Sequence, residues 1–233
     1  MRCLKIPLLV IFLMAIIAGA SYIKFNYEDV VQTMGNSISS KVIIVDPGHG
    51  GFDPGKPGIN GADEKDLNLQ IGLKLRDYLE QAGAIVIMTR TTDNDVDGME
   101  GVKHKSKDMI ERKKIALEGD IVVSIHQNSF SQPSVRGAQV FYSAKSNEGK
   151  TLATHIQQSI KINVDETNRR EAKSNNNYYV LKAIEIPSVI VECGFLTNPE
   201  EESKLNESTY QDKIAWSIYL GIVKYFETSG QQL

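Results

Sequence analysis

Cysteine, tryptophan and proline are all scarce, at two, one and seven in 233 residues. Two cysteines, at positions 3 and 193, cannot staple a small disulfide scaffold. Eighteen glycines follow no period of three, and 41% apolar with 24% charged residues is ordinary globular usage, so collagen-like, low-complexity and wholly disordered chains are excluded. A surplus of one charge is missing too. The formal net charge of −3 argues against a protein that binds nucleic acid by neutralising phosphates. No internal repeat is visible. Long apolar runs are limited to one, Leu8 to Ala20, at the N-terminus.

That run follows Arg2 and Lys5, has no acid around it, and closes on Ala18-Gly-Ala20. It reads as a secretory signal peptide with a small-residue cleavage site, or as an uncleaved membrane anchor. Both readings place the rest of the chain outside the cytoplasm. Residues 1–20 are thus a leader, 21–40 a polar linker, 41–227 a single domain and 228–233 a tail.

Within the domain, apolar β-branched runs alternate with helical periodicity. Lys41–Val45, Ala84–Met88, Asp120–Ile125, Gly137–Tyr142 and Ser188–Val191 read as strands, and Tyr178–Leu181 as a short one. Glu64–Ala82, Lys107–Leu117, Asn147–Ile162 and Tyr210–Phe226 read as helices. Residues 91–106 and 163–177 read as surface loops. Continuous apolar strands need cover on both faces, which intervening helices supply. The expected fold is a three-layer α/β domain with a mostly parallel twisted sheet flanked by helices.

In such folds, sites form beyond the carboxyl ends of the strands. Three strand ends carry unusual side chains: Asp46-Pro-Gly-His49-Gly-Gly51, Ser124-Ile-His126-Gln-Asn128 and Val191-Glu192-Cys-Gly-Phe195. Each has a bland reading on its own: a turn histidine, a core histidine, a capping or paired glutamate. Glu64, at the start of the first helix, is by itself a first-turn acid that suits the helix dipole. Yet that helix starts at the same sheet edge, so His49, Glu64 and His126 form a two-histidine, one-carboxylate set. Three protein ligands and one open position is the pattern of catalytic zinc. The spacing is not that of a zincin helix, and the glycine-rich loop lacks the lysine of a phosphate-binding loop.

Read in order, Val45-Asp-Pro-Gly-His-Gly-Gly51, Glu64-Lys-Asp-Leu-Asn-Leu69, Thr89-Arg90, Ser124-Ile-His-Gln-Asn128, Arg136-Gly-Ala-Gln-Val140 and Val191-Glu-Cys-Gly-Phe-Leu-Thr-Asn198 resemble the zinc-dependent N-acetylmuramoyl-L-alanine amidases across residues 41–227. The layout is most similar to members that act on spore cortex in endospore-forming bacteria. The resemblance implies one Zn2+ held by His49, Glu64 and His126, with Glu192 as the catalytic carboxylate. It implies hydrolysis of the amide between the lactyl group of N-acetylmuramic acid and L-alanine of the stem peptide, leading to muramic-δ-lactam and germination. It also implies peptidoglycan as substrate, membrane contact through the N-terminal segment, a sporulation protein aiding localisation or zinc binding, and a place between the spore membranes. Gln127-Asn128 departs from the more usual Ala-Asn of the family.

Asp46 and Asn128 are read as acceptors that orient the ligand histidines, or else as turn caps. Asn128 together with Arg169, Arg170 and Lys173 is also a candidate substrate-binding set, since stem peptides carry carboxylates; a solvated loop is the alternative. Competing functions are a zinc peptidase or carboxypeptidase cutting within the stem, and a non-catalytic wall-binding regulator.

Overall fold

A computed structural model describes residues 14–16, 19, 37–94, 96 and 105–229. β1 (Val42–Pro47) leads through a glycine-rich loop to α1 (Glu64–Gln81) and β2 (Ile85–Met88). Then come α2 (Lys105–Ala116), β3 (Ile121–Asn128), β4 (Gln139–Tyr142), α3 (Asn147–Asn163) and β5 (Lys173–Ser174). α4 (Tyr179–Ala183), β6 (Ser188–Phe195), α5 (Pro199–Leu205) and α6 (Ser208–Ser229) follow. The six strands form one sheet in the order β2-β1-β3-β6-β4-β5. β2, β1, β3 and β6 are mutually parallel, β4 runs antiparallel to β6, and β5 is parallel to β4.

The central strands are apolar throughout because both sheet faces are covered. Odd-numbered residues of β1, β3 and β6, among them Val45, Val123, Ile125, Val191 and Cys193, point into the larger core with α1, α3 and α6. Even-numbered ones, among them Ile44, Val122 and Ile190, point to a thinner layer made by α2 and α4. The alternation decides which strand-end side chains meet. Asp46, Ser124, His126 and Glu192 share the α2/α4 side, whereas Cys193 is buried on the other side and is no ligand to the same site.

Three elements differ from the sequence reading. Tyr178–Leu181 is not a strand: after an extended Tyr178 the chain makes the short helix α4, which buries Val180 and Leu181 against the thin layer. A short apolar run has no periodicity with which to decide between helix and strand. The 163–177 loop contains β5, and residues 199–205 form α5. Among the described residues no helix is long and apolar enough to cross a membrane. Most of the expected leader (1–20), of the linker (21–40) and of the 91–106 loop lies outside the described residues.

Candidate metal centre

β1, β3 and β6 deliver their carboxyl ends to one edge, in a register that sets Asp46 beside Ser124 and His126 beside Glu192. His49 lies just past β1 with φ +62°, a left-handed conformation that a non-glycine residue seldom adopts. The surroundings hold it there. Arg112 of α2 donates from Nη2 to the His49 carbonyl (2.6 Å) and from Nη1 to the Pro47 carbonyl (3.0 Å). Arg90 donates to the carbonyls of Pro47 (3.0 Å), Gly48 (3.1 Å) and Lys65 (2.7 Å). Gly48 must be glycine, because a Cβ there would lie 2.2 Å from the His126 ring. Gly55, at φ +73°, passes so close to Glu64 that a Cβ would sit 2.6 Å from its Oε2.

Glu64 Oε1 is the focus. His49 Nε2 is 3.3 Å from it, His126 Nδ1 is 3.0 Å from it, and the Gln127 amide donates to it at 3.1 Å. Oε2 is fixed by the Lys56 amide at 2.7 Å. One donor atom each from His49, Glu64 and His126 lies within 4.8 Å of the others. The remaining nitrogen of His49, Nδ1, is 3.0 Å from Asp53 Oδ2, an ion-pair distance without the alignment of a hydrogen bond. Burial alone would raise the Glu64 pKa, but hydrogen bonds and charge from His126 and His49 hold it far below the usual carboxylate range. Burial likewise opposes a charged His126, and Glu64 outweighs it, so that imidazole is pushed up. A nearly buried carboxylate on which two imidazole nitrogens converge fits a divalent cation.

Glu192 faces the same space. Tyr178 donates its hydroxyl to Glu192 Oε1 at 2.9 Å, while buried Oε2 has no partner. Burial and the Glu64 charge raise the Glu192 pKa, against the pull of His126 and the Tyr178 hydrogen bond. A cavity of about 140 Å³ opens beside His49 and His126, bounded by Asp53, Lys105, Arg112 and Tyr178.

Other expected residues are placed differently. Asp46 accepts from Thr89 Oγ1 (2.8 Å) and Ser124 Oγ (2.6 Å) and is ion-paired with Arg112; it binds no imidazole. Its influence on His49 passes through Arg112. Asn128 Oδ1 accepts from the Ser129 amide at 2.8 Å, which is a turn cap. Arg170 bonds the Arg136 carbonyl (2.8 Å) and Gln139 and lies over the Phe195 ring; Lys173 is on β5, and neither they nor Arg169 line the cavity. Asp53, Arg112, Tyr178 and Asn68, which donates to the Gly48 carbonyl (3.1 Å) and accepts from the Gln127 side chain (3.1 Å), belong to the site's framework without having been singled out by sequence. Asp53, four residues after His49 in a Pro-Gly turn, carried a weak signal; the others carried none.

Fold and site define a three-layer α/β protein with two histidines and a carboxylate grouped closely enough to hold a metal ion, beside a second buried carboxylate with one oxygen unpartnered. The N-acetylmuramoyl-L-alanine amidase family model matches residues 43–224. The germination-specific N-acetylmuramoyl-L-alanine amidase of Bacillus subtilis is 38% identical over 212 residues, covering 89% of each chain. The CwlD amidase of Clostridioides difficile, solved in complex with the GerS lipoprotein, superposes with TM-score 0.75 at 43% identity, over 81% of this chain and 100% of that one. The amidase AmiC2 of Nostoc punctiforme gives TM-score 0.69 at 34% identity, over 80% and 97%. The chain belongs to the N-acetylmuramoyl-L-alanine amidase family and is an enzyme that hydrolyses the N-acetylmuramoyl–L-alanine amide of peptidoglycan.

Proposed function

We propose that this amidase is zinc-dependent, with His49, Glu64 and His126 holding one Zn2+ and Glu192 transferring the proton. The observation that carries the reading is the convergence of two imidazoles on Glu64 Oε1 beside a Glu192 oxygen that has no partner. When bound, zinc supplies Lewis acidity and brings the pKa of water down to about 7. Glu192 takes a proton from the attacking water and hands it to the departing amine of L-alanine. The task suits a carboxylate whose pKa burial has raised, since it must be base and then acid. Tyr178 fixes one Glu192 oxygen and leaves the other for that transfer. Asp53 sets a negative charge beside the His49 ring, and Arg112 and Arg90 hold the backbone behind it.

We further propose that the enzyme acts on spore cortex, outside the cytoplasm. In this reading residues 41–227 are the catalytic unit, reached through a leader (1–20) that targets or anchors it and a linker (21–40), with 228–233 as a tail. A lipoprotein partner is part of the proposal. It is supported by likeness to the germination-specific enzyme and to the amidase solved with GerS. The test is metal analysis with activity. Dialysed protein is expected to regain one zinc per chain and full turnover together, and His126→Ala to regain neither. Turnover that survives complete removal of metal would refute the zinc assignment.

A further inference from the structure

A second, larger groove of about 550 Å³ lies at the same sheet edge, between the loops that follow β1, β3 and β6. Its walls are Lys56 and Ile59 on one side, Ser129, Phe130 and Pro133 on the other, and Thr197 at one end. We infer that this groove holds the peptide stem of the substrate, with Lys56 pairing a stem carboxylate. The inference rests on the amidase reading and names where one half of its substrate lies.

Continuity with the metal centre comes first. The Lys56 amide is itself bonded to Glu64 Oε2 at 2.7 Å, and the facing wall begins one residue beyond Asn128, on the strand that carries His126. The groove therefore lies against the loops that carry the metal-site residues. Its shape is fixed by hydrogen bonds among the three loops: Ile59 N to the Leu196 carbonyl (3.2 Å), Leu196 N to the Asn128 carbonyl (2.9 Å) and Phe130 N to Thr197 Oγ1 (3.0 Å). Fully buried Glu202 of α5 clamps the Lys56–Ile59 wall from behind, accepting from the Asn60 amide (2.8 Å) and side chain (2.9 Å) and from the Ala62 amide (3.3 Å). A preformed groove avoids ordering losses on binding.

Charge then selects the occupant. Lys56 is the one charged residue lining the groove among the described residues, and its ammonium has no ion pair there. Phe130 and Ile59, each 52% exposed, line the same groove and give it apolar surface. A stem peptide combines small apolar side chains with carboxylates, and matches both features. The glycan strand offers no fixed anion for Lys56. The basic residues expected to select the stem, Arg169, Arg170 and Lys173, line neither this groove nor the cavity beside the histidines.

The test compares a muramoyl-tetrapeptide whose stem carboxylates are free with one whose stem carboxylates are amidated, using zinc-loaded full-length protein. An exposed ion pair predicts that the wild type favours the free form by about fivefold in KM. Lys56→Gln should erase that preference and Lys56→Arg should keep it. Calorimetry with the released tetrapeptide supplies a readout without turnover, and should show the same loss in Lys56→Gln. Equal KM values for both substrates in the wild type, or a preference that survives Lys56→Gln, would overturn the inference. So would binding that tracks glycan length and ignores amidation. Loss of turnover with carboxylate-dependent tetrapeptide binding intact would count against the zinc assignment, not against the groove.

Discussion

Arg112→Met tests whether a buried ion pair holds the metal-site loop. Arg112 is 5% exposed and is shared between Asp46, Asp108 and the carbonyls of Pro47 and His49. Methionine matches its stem but strands the Asp46 carboxylate, which is 3% exposed. Breaking a buried pair from one side costs about 3–5 kcal/mol, which in a domain of this size is a drop in Tm of roughly 6–20 °C. The pH dependence makes the test sharper. Burial alone would raise the Asp46 pKa, but Arg112, Ser124 and Thr89 lower it from 3.8 to about 2. In the wild type this group therefore contributes stability above its unfolded pKa, and that contribution is lost as pH falls from 3.8 towards 2. Without Arg112, burial dominates and the pKa rises, so the variant loses stability as pH climbs through the raised value. The stability gap between the two proteins should widen by about 1.4 kcal/mol per pH unit from about pH 3 upward until the raised pKa is passed. Urea unfolding of the metal-free proteins from pH 3 to 7 measures it. A gap that is constant with pH, or below about 1 kcal/mol at neutral pH, would refute the account of Asp46 and Arg112. Asp46→Asn in the Arg112→Met background should recover part of the loss.

Glu192→Gln keeps size and the Tyr178 contact but cannot accept a proton; kcat should fall by about a hundred- to ten-thousand-fold while bound zinc, measured by metal analysis, is unchanged. Gly48→Ala would set a methyl 2.2 Å from the His126 ring; zinc content after dialysis should drop sharply with circular dichroism little altered. Tyr178→Phe removes the 2.9 Å hydrogen bond to Glu192, and steady-state kinetics should show kcat down about fivefold with KM nearly constant.

Much of the site could be read from sequence because strand ends in a parallel sheet are informative. His49, His126 and Glu192 each follow an apolar β-branched run, so their arrival at one edge followed from topology, and Glu64 from its place at the start of the next helix. The framework behind them was not legible. Arg112 sits in a polar helix whose sequence does not distinguish the inward arginine from its solvated neighbours. Asp46 reads from sequence as a histidine acceptor or a turn cap, whereas strand alternation aims it at Ser124 and α2. Tyr178–Leu181 had too few residues to show a period. For α5 a signal existed: Asn198 caps the amides of Glu200 and Glu201, Pro199 opens the helix, and three glutamates fill its first turn.

The most direct test of zinc-dependent amidase chemistry at this site is mass spectrometry of purified muropeptides digested by the zinc-loaded protein and by Glu192→Gln. The wild type is expected to yield stem peptides with a free L-alanine amine and muramic acid with a free lactyl carboxylate, and the variant essentially neither. Cuts confined to peptide bonds within the stem, or equal product from both proteins, would contradict it.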